Sequence, residues 1–263
     1  MKMKDILIEW VRQFNFPRKA GLLHLICPRV GEKEIDLCGY KITLDLSDYI
    51  QRSVYLNVFE PYESNLIKNY LKPGMTFIDV GANIGYFTLM GATLVGREGN
   101  VIAFEPSPYA YSRLENTVNK NNISQVSLVQ AGLSNSKSTM QLYIPDEKWG
   151  NHSPTIIKND GGQPIDIPVF TLDEYLKINN IMYVDLMKID VEGFEPNVIQ
   201  GAREAIESKK IHSILLEFNK HWLECNGSSV ESLYQKLLAL GFKPKNKNID
   251  INSSCQNLFF SME

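Results

Sequence analysis

A chain of 263 residues with 44% hydrophobic and 22% charged residues is long enough for one large α/β domain with a sizeable core. Its net charge of −3 offers no electrostatic pull toward phosphate backbones, so nucleic acid is not the expected partner. Cys27, Cys38, Cys225 and Cys255 show neither C-x-x-C pairing nor zinc-ligand spacing, which fits buried or idle thiols in a reducing compartment. Asp5, Glu9 and Arg12 interrupt any signal-like apolar region, and no apolar run reaches membrane length, so the expected location is the cytoplasm, off the membrane.

The N-terminal stretch "DILIEWVRQF" puts Ile6, Trp10, Val11 and Phe14 on one helical face and predicts an amphipathic helix, packed on its own domain or on a second subunit. Strand-like "YKITLDL" and the aromatic-rich "YIQRSVYLNVFEPYES" follow. Residues 1–60 therefore read as a small N-terminal cap, and 61–263 as the main domain. From Glu63 the rhythm changes. "ESNLIKNYL" predicts a helix stopped by Pro73-Gly74, then strand "TFIDV", helix "GYFTLMGATLV", strand "NVIAFEP" and a helix with Pro108 in its first turn. Strands "VSLVQ" and "TMQLYI" lead into a polar loop through "WGNHSP" and "KNDGGQP". A capping box at Thr171 and Glu174 opens a short helix, followed by strand "VDLMKID", a helix opened by Pro196 and strand "HSILLEF". A second box at Ser228 and Glu231 opens a helix that stops at Gly241, and the tail supplies two last strands. Strands alternating with helices predict a mostly parallel sheet covered on both faces, with ligands bound beyond the carboxyl ends of the strands.

The residues at those ends form a pattern. Asp79, Gly81, Asn83 and Gly85 follow the first core strand as D-x-G-x-N-x-G, and Glu105 ends the second, placed to accept hydrogen bonds from ribose hydroxyls. A dinucleotide fingerprint needs G-x-G-x-x-G and a helix N-terminus free for pyrophosphate. Here Asn83 replaces the middle glycine, the last spacing is one residue short, and Asp79 repels phosphate but suits a cation. The pattern fits a nucleoside carrying positive charge, S-adenosylmethionine, and with Gly81, Gly85 and Glu105 in place it outweighs the alternative that Asp79 simply caps the following turn. A NAD-dependent oxidoreductase or a non-catalytic binder of the same nucleoside are the rival readings.

"FIDVGANIGYFT", "VIAFEPSP", "VQAGLSN", "TLDEYL" and "LMKIDVEGFEPNVIQGA", in this order over about residues 60–220, resemble the FkbM family of class I methyltransferases. The resemblance implies a Rossmann-like, mostly parallel seven-stranded sheet whose last strand is antiparallel. It implies S-adenosylmethionine as donor and, commonly, a hydroxyl on a sugar, polyketide or other natural product as acceptor. It also implies that Asp79, Gly81, Asn83 and Gly85 form the methionine-side loop and that Glu105 holds the ribose. Ser107 and the Ala131-Gly132 turn would lie along the adenine, with Asp190 facing the methionine amino group and the transfer point.

Methyl transfer to an alcohol needs a proton acceptor, and His152, Asp190 and Glu217 are the candidates, with His221 a rival to His152. A carboxylate or peptide-terminus acceptor needs almost none. Lys188 shares a strand face with Asp190 and can be its structural ion pair, while Glu192 either faces the site or bonds the backbone of the next turn. His24 and His212 read as structural. Tyr49, Tyr55, Phe59 and Tyr62 are either packing or a lid that excludes water. Asp190, Glu217 and Asn219 have the oxygen chemistry for Mg²⁺ but no distinctive spacing, so no metal is expected. The expected partner is a small-molecule, sugar or peptide-derived acceptor, and a homo-oligomer is compatible with the sequence.

Overall fold

In the computed structural model, residues 8, 10–11, 19–144, 163–246, 249–250 and 252–262 are described. Helix α1 (Lys19–Ile26) leads into the hairpin of β1 (Glu32–Leu37) and β2 (Tyr40–Asp45), then α2 (Tyr49–Tyr55) and α3 (Pro61–Tyr70). The main sheet follows. β3 (Thr76–Val80), α4 (Tyr86–Val95), β4 (Asn100–Phe104), α5 (Pro108–Lys120) and β5 (Val126–Val129) build its first half. Three strands then form a separate small sheet: β6 (Gly132–Leu133), β7 (Ser138–Ile144) and β8 (Gln163–Phe170). The chain returns through α6 (Leu172–Ile178), β9 (Val184–Ile189), α7 (Glu195–Gly201), α8 (Arg203–Glu207), β10 (Ile211–Asn219), α9 (Lys220–Cys225) and α10 (Val230–Ala239). It ends with β11 (Lys243–Pro244) and β12 (Cys255–Ser261).

The seven-stranded sheet runs β11-β12-β10-β9-β3-β4-β5, parallel except for β12, which is antiparallel to both its neighbours. This is the Rossmann-like class I methyltransferase arrangement expected from the sequence. The period-2 alternation of each strand sends neighbours into two separate cores. Phe77, Ala103, Leu186 and Leu215 join one cluster with α3, α4, α5 and the N-terminal elements. Ile78, Phe104, Met187 and Leu216 join the other with α6 to α10. The polar residues that continue the first series, Asp79 on β3, Lys188 on β9 and Glu217 on β10, therefore face the side covered by the N-terminal segment.

Several local expectations shift. α3 begins at Pro61, two residues before Glu63, because Pro61 takes the first helical turn, where its missing N–H costs nothing. The cap of α10 is Ser229, whose hydroxyl accepts from Ser232 N at 3.1 Å, one residue after the expected Ser228. Thr171 caps α6 as expected, accepting from Glu174 N at 3.2 Å. The end of the stretch read as loop is strand β8, disguised by Pro164 and Pro168. Both prolines pair with β7 residues, and β6 pairs with β8 at Val169 and Phe170, so among the described residues the prolines sit where the other edge of β8 has no ladder partner. Of the amphipathic N-terminal helix, Ile8, Trp10 and Val11 are helical, with Ile8 and Val11 buried in the first core.

Candidate active site

At the carboxyl ends of the sheet strands lies a cavity of about 430 Å³, in the range of small-ligand sites. Its wall has two halves. One comes from the ends of β3, β4 and β5, with Gly81, Asn83, Glu105, Ala131 and Gly132. The other joins the ends of β9 and β10, with Lys188, Asp190, Glu192 and Glu217, to Tyr49, Phe59 and Glu60 from the N-terminal segment.

The β3 turn is shaped by close approaches of the chain to itself. Gly81 has φ +83°, and a Cβ there would lie 2.0 Å from the Asp190 carbonyl oxygen, so the turn hugs the end of β9. A Cβ on Gly85, at φ +95°, would lie 2.2 Å from Leu114 Cδ1, so this glycine lets α5 pack under the turn. Asn83 also takes a left-handed conformation, at φ 51°. Its backbone N donates to Glu105 Oε2 at 2.7 Å, and Ser107 N donates to Oε1 at 2.8 Å. The Glu105 carboxylate is thus held by two backbone groups, each oxygen keeping acceptor capacity toward the cavity. Burial pushes it up to about 7 against the pull of those two N–H groups.

Asp79 is fully buried behind the turn, with Oδ2 accepting from Thr88 Oγ1 of α4 at 2.6 Å and Oδ1 lacking a partner. Burial raises its pKa, with Lys188 and the Thr88 hydroxyl opposing. Its cross-strand neighbour is Lys188, which is 4% exposed, bonds Asp190 Oδ2 at 2.9 Å and sits 4.8 Å from the Phe87 ring centre. Burial works against that lysine's charge, but Asp190, Glu60 and Asp79 outweigh it and hold it protonated well above the usual range. Glu217 accepts from Cys255 Sγ at 3.3 Å, and burial, helped by Asp190 and Glu192, pushes it up to about 9.

Gly81, Asn83, Glu105, Ala131, Gly132, Asp190 and Glu217 are brought to one cavity. Asp79 and Gly85 lie behind its wall. Ser107 serves as N-cap of α5, its hydroxyl accepting from Ala110 N at 3.5 Å. His152 falls outside the described residues. His221 stacks edge-on against Trp222 within α9, and His24 stacks on Tyr49 at 4.7 Å. Tyr49 and Phe59 line the cavity, whereas Tyr55 is core and Tyr62 bonds Asn246 Nδ2 at 2.7 Å. Of the two places expected for Glu192, the backbone of the next turn is taken by another glutamate. Glu195, fully buried, accepts from Val191 N and Gly193 N and so holds the turn after β9, while Glu192 lines the cavity. Among the described residues, Glu60 is the acidic lining residue that the sequence did not single out.

S-adenosylmethionine fits this donor set. Glu105 supplies a ribose acceptor, Ala131 and Gly132 a wall poor in side chains, and the clustered carboxyl groups oxygen partners for ammonium and sulfonium charge. The orphaned oxygens of Asp79 and Glu60 match a cationic guest better than a pyrophosphate. Among the described residues, no group of three or more His, Cys, Asp or Glu is arranged to hold a metal ion. No helix among them is long and apolar enough to cross a membrane.

Comparison with known proteins agrees. The sequence model described as "Methyltransferase FkbM domain" matches residues 79–244, more than half of the chain. Methyltransferase 1 of Beauveria bassiana is 29% identical over 142 residues, covering 47% of this chain and 57% of the relative. The hexuronic acid methyltransferase AglP of Haloferax volcanii is 28% identical, covering 54% of each. The matched regions thus span little more than half the length of these relatives. Among solved structures, an FkbM methyltransferase from Methylobacillus flagellatus aligns with a TM-score of 0.50 at 16% identity, over 81% of this chain and 55% of that one. The METTL16 methyltransferase domain aligns with a TM-score of 0.51 at 15% identity, over 86% and 74%. The chain belongs to the FkbM family of methyltransferases.

Proposed function

We propose that this methyltransferase uses S-adenosylmethionine to methylate a hydroxyl oxygen on a small molecule, a sugar or another natural product. The observation that carries the reading is the carboxyl-rich lining of the cavity's β9–β10 side. Glu60, Asp190, Glu192 and Glu217 line it, and the one lysine in the wall among the described residues, Lys188, is already paired with Asp190. An anionic acceptor would meet carboxyl groups and, among the described residues, no unpaired lining cation. A neutral hydroxyl would find hydrogen-bond partners in the same carboxyl groups.

The bound donor supplies a methyl group already activated on a sulfonium, so the protein's work is alignment, exclusion of water and proton handling. Glu105 would hold the ribose hydroxyls, its orientation fixed by the backbone of Asn83 and Ser107. The Gly81 turn would take the methionine end, with the buried carboxyl of Asp79 behind it. Tyr49 and Phe59 would close the mouth against water. Asp190 and Glu217 stand on the acceptor side, where a hydroxyl must be oriented and deprotonated.

A carboxylate acceptor is the second reading, favoured by the name of the Haloferax volcanii relative and disfavoured by the acidic wall. S-adenosylhomocysteine release, measured with matched neutral glycosides and uronic acids, separates the two. We expect kcat/KM to favour the neutral hydroxyl compounds by on the order of tenfold or more, about 1.4 kcal/mol. A preference for the uronic acids would overturn the proposal.

A further inference from the structure

Glu60 is placed in a way that its sequence position does not require. It is the residue before α3, yet its side chain makes no capping hydrogen bond. Its backbone is left-handed, at φ 37° and ψ 63°, a region disfavoured for a side chain of this size. That conformation turns the carboxyl into the cavity, where Oε2 is buried without a hydrogen-bond partner. A helix-entry residue with no structural task for its side chain would normally turn it to water. A strained backbone that instead aims an unsatisfied carboxylate at a ligand cavity is the signature of a working group.

Building on the methyltransferase reading, we propose that Glu60 is the catalytic base, the group that takes the proton from the acceptor hydroxyl. The oxygen forms its bond to the methyl carbon as the carbon–sulfur bond breaks with its electron pair going to sulfur, and the O–H proton passes to Glu60. Placement supports this. Glu60 comes from the N-terminal segment and lies near Lys188 and Asp190 at the end of β9, whereas the Glu105 ribose hook follows β4. Its charged surroundings are Lys188 and Asp190 at the end of β9, Asp79 on β3 and Glu63 on α3, and Glu217 of β10 lines the same cavity. Burial pushes Glu60 up to about 8, with Lys188 opposing and Asp190, Glu63 and Asp79 adding. Near neutral pH it is therefore mostly protonated in the free protein, and a cation brought close would ionise it, making the base available when the donor is in place.

That coupling gives a test independent of any acceptor. Isothermal calorimetry in two buffers of different ionisation enthalpy measures protons released when S-adenosylmethionine, a sulfonium, or S-adenosylhomocysteine, a neutral thioether, binds the full chain at pH 7. We expect the sulfonium to release about half a proton or more beyond the thioether. Most of the difference should be lost in Glu60→Gln and kept in Glu60→Asp, both with S-adenosylhomocysteine affinity within about threefold of wild type. On any hydroxyl acceptor, Glu60→Gln should lower kcat by roughly 100-fold or more with KM little changed. Equal proton release for the two ligands, or a difference undiminished in Glu60→Gln, would overturn the role of Glu60. Failure of either ligand to bind wild type would instead overturn the cofactor reading beneath it.

Discussion

The two halves of the cavity are built on opposite plans. In the β3–β5 half, the lining carboxyl is held by the chain: both Glu105 oxygens accept backbone N–H groups, and the glycines are fitted against the chain itself, with one Asp79 oxygen behind the wall left unpartnered. In the β9–β10 half, carboxylates gather around one buried lysine, one oxygen of Glu60 has no partner, and two groups are pushed far from ordinary carboxylate behaviour. A site that keeps one ligand constant can finish its hydrogen bonds within the protein. A site that must accept a second molecule and move a proton keeps some of them open, at a cost in stability.

The largest effect that would break this contrast is on the closed half. Gly81→Ala places a Cβ against the Asp190 carbonyl and should destabilise the fold by about 3 kcal/mol or more in urea denaturation. Gly74 has a similar φ, +85°, but open space around it, so Gly74→Ala should cost only about 1 kcal/mol. Equal costs would show that backbone conformation alone, and not the fit of the turn to β9, governs Gly81.

A smaller effect sharpens the open half. The ordinary value for Glu217 is 4.5, and the folded protein holds it up to about 9. Its contribution to stability is therefore fully present below pH 4.5 and is lost as pH rises toward 9, because the unfolded chain ionises where the folded one resists. Glu217→Gln removes this dependence, so the variant should gain stability relative to wild type as pH rises from 5 to 9. Thermal melts of the two proteins across that range read the difference directly. A constant difference would place Glu217 in contact with solvent and remove it from the buried wall.

The same contrast explains what the sequence disclosed. The closed half is local. Asp79, Gly81, Asn83, Gly85, Glu105 and Ser107 lie within a strand, a turn, a helix and the next strand, so their spacing carries the geometry. The open half is assembled from residues 49–60, 188–192 and 217, far apart in the chain and joined only by the sheet order. Glu60 left no signal because nothing in "NVFEPY" announces a left-handed glutamate, and Pro61 after it reads merely as a helix start. Glu195 was hidden behind Glu192 because both flank the same glycine, and only the turn's hydrogen bonds show which one holds the backbone. β8 escaped because prolines ordinarily argue against a strand, and only the incomplete pairing on one edge makes room for them.

Calorimetric titration of wild type and Glu105→Ala with S-adenosylhomocysteine and with NAD tests most directly that the cavity is a methyl-donor site with Glu105 as its ribose anchor. Wild type should bind S-adenosylhomocysteine and not NAD, and Glu105→Ala should weaken that binding by about 2–3 kcal/mol, the scale of lost charge-assisted hydrogen bonds. Binding of NAD alone, or an affinity for S-adenosylhomocysteine that Glu105→Ala leaves unchanged, would contradict it.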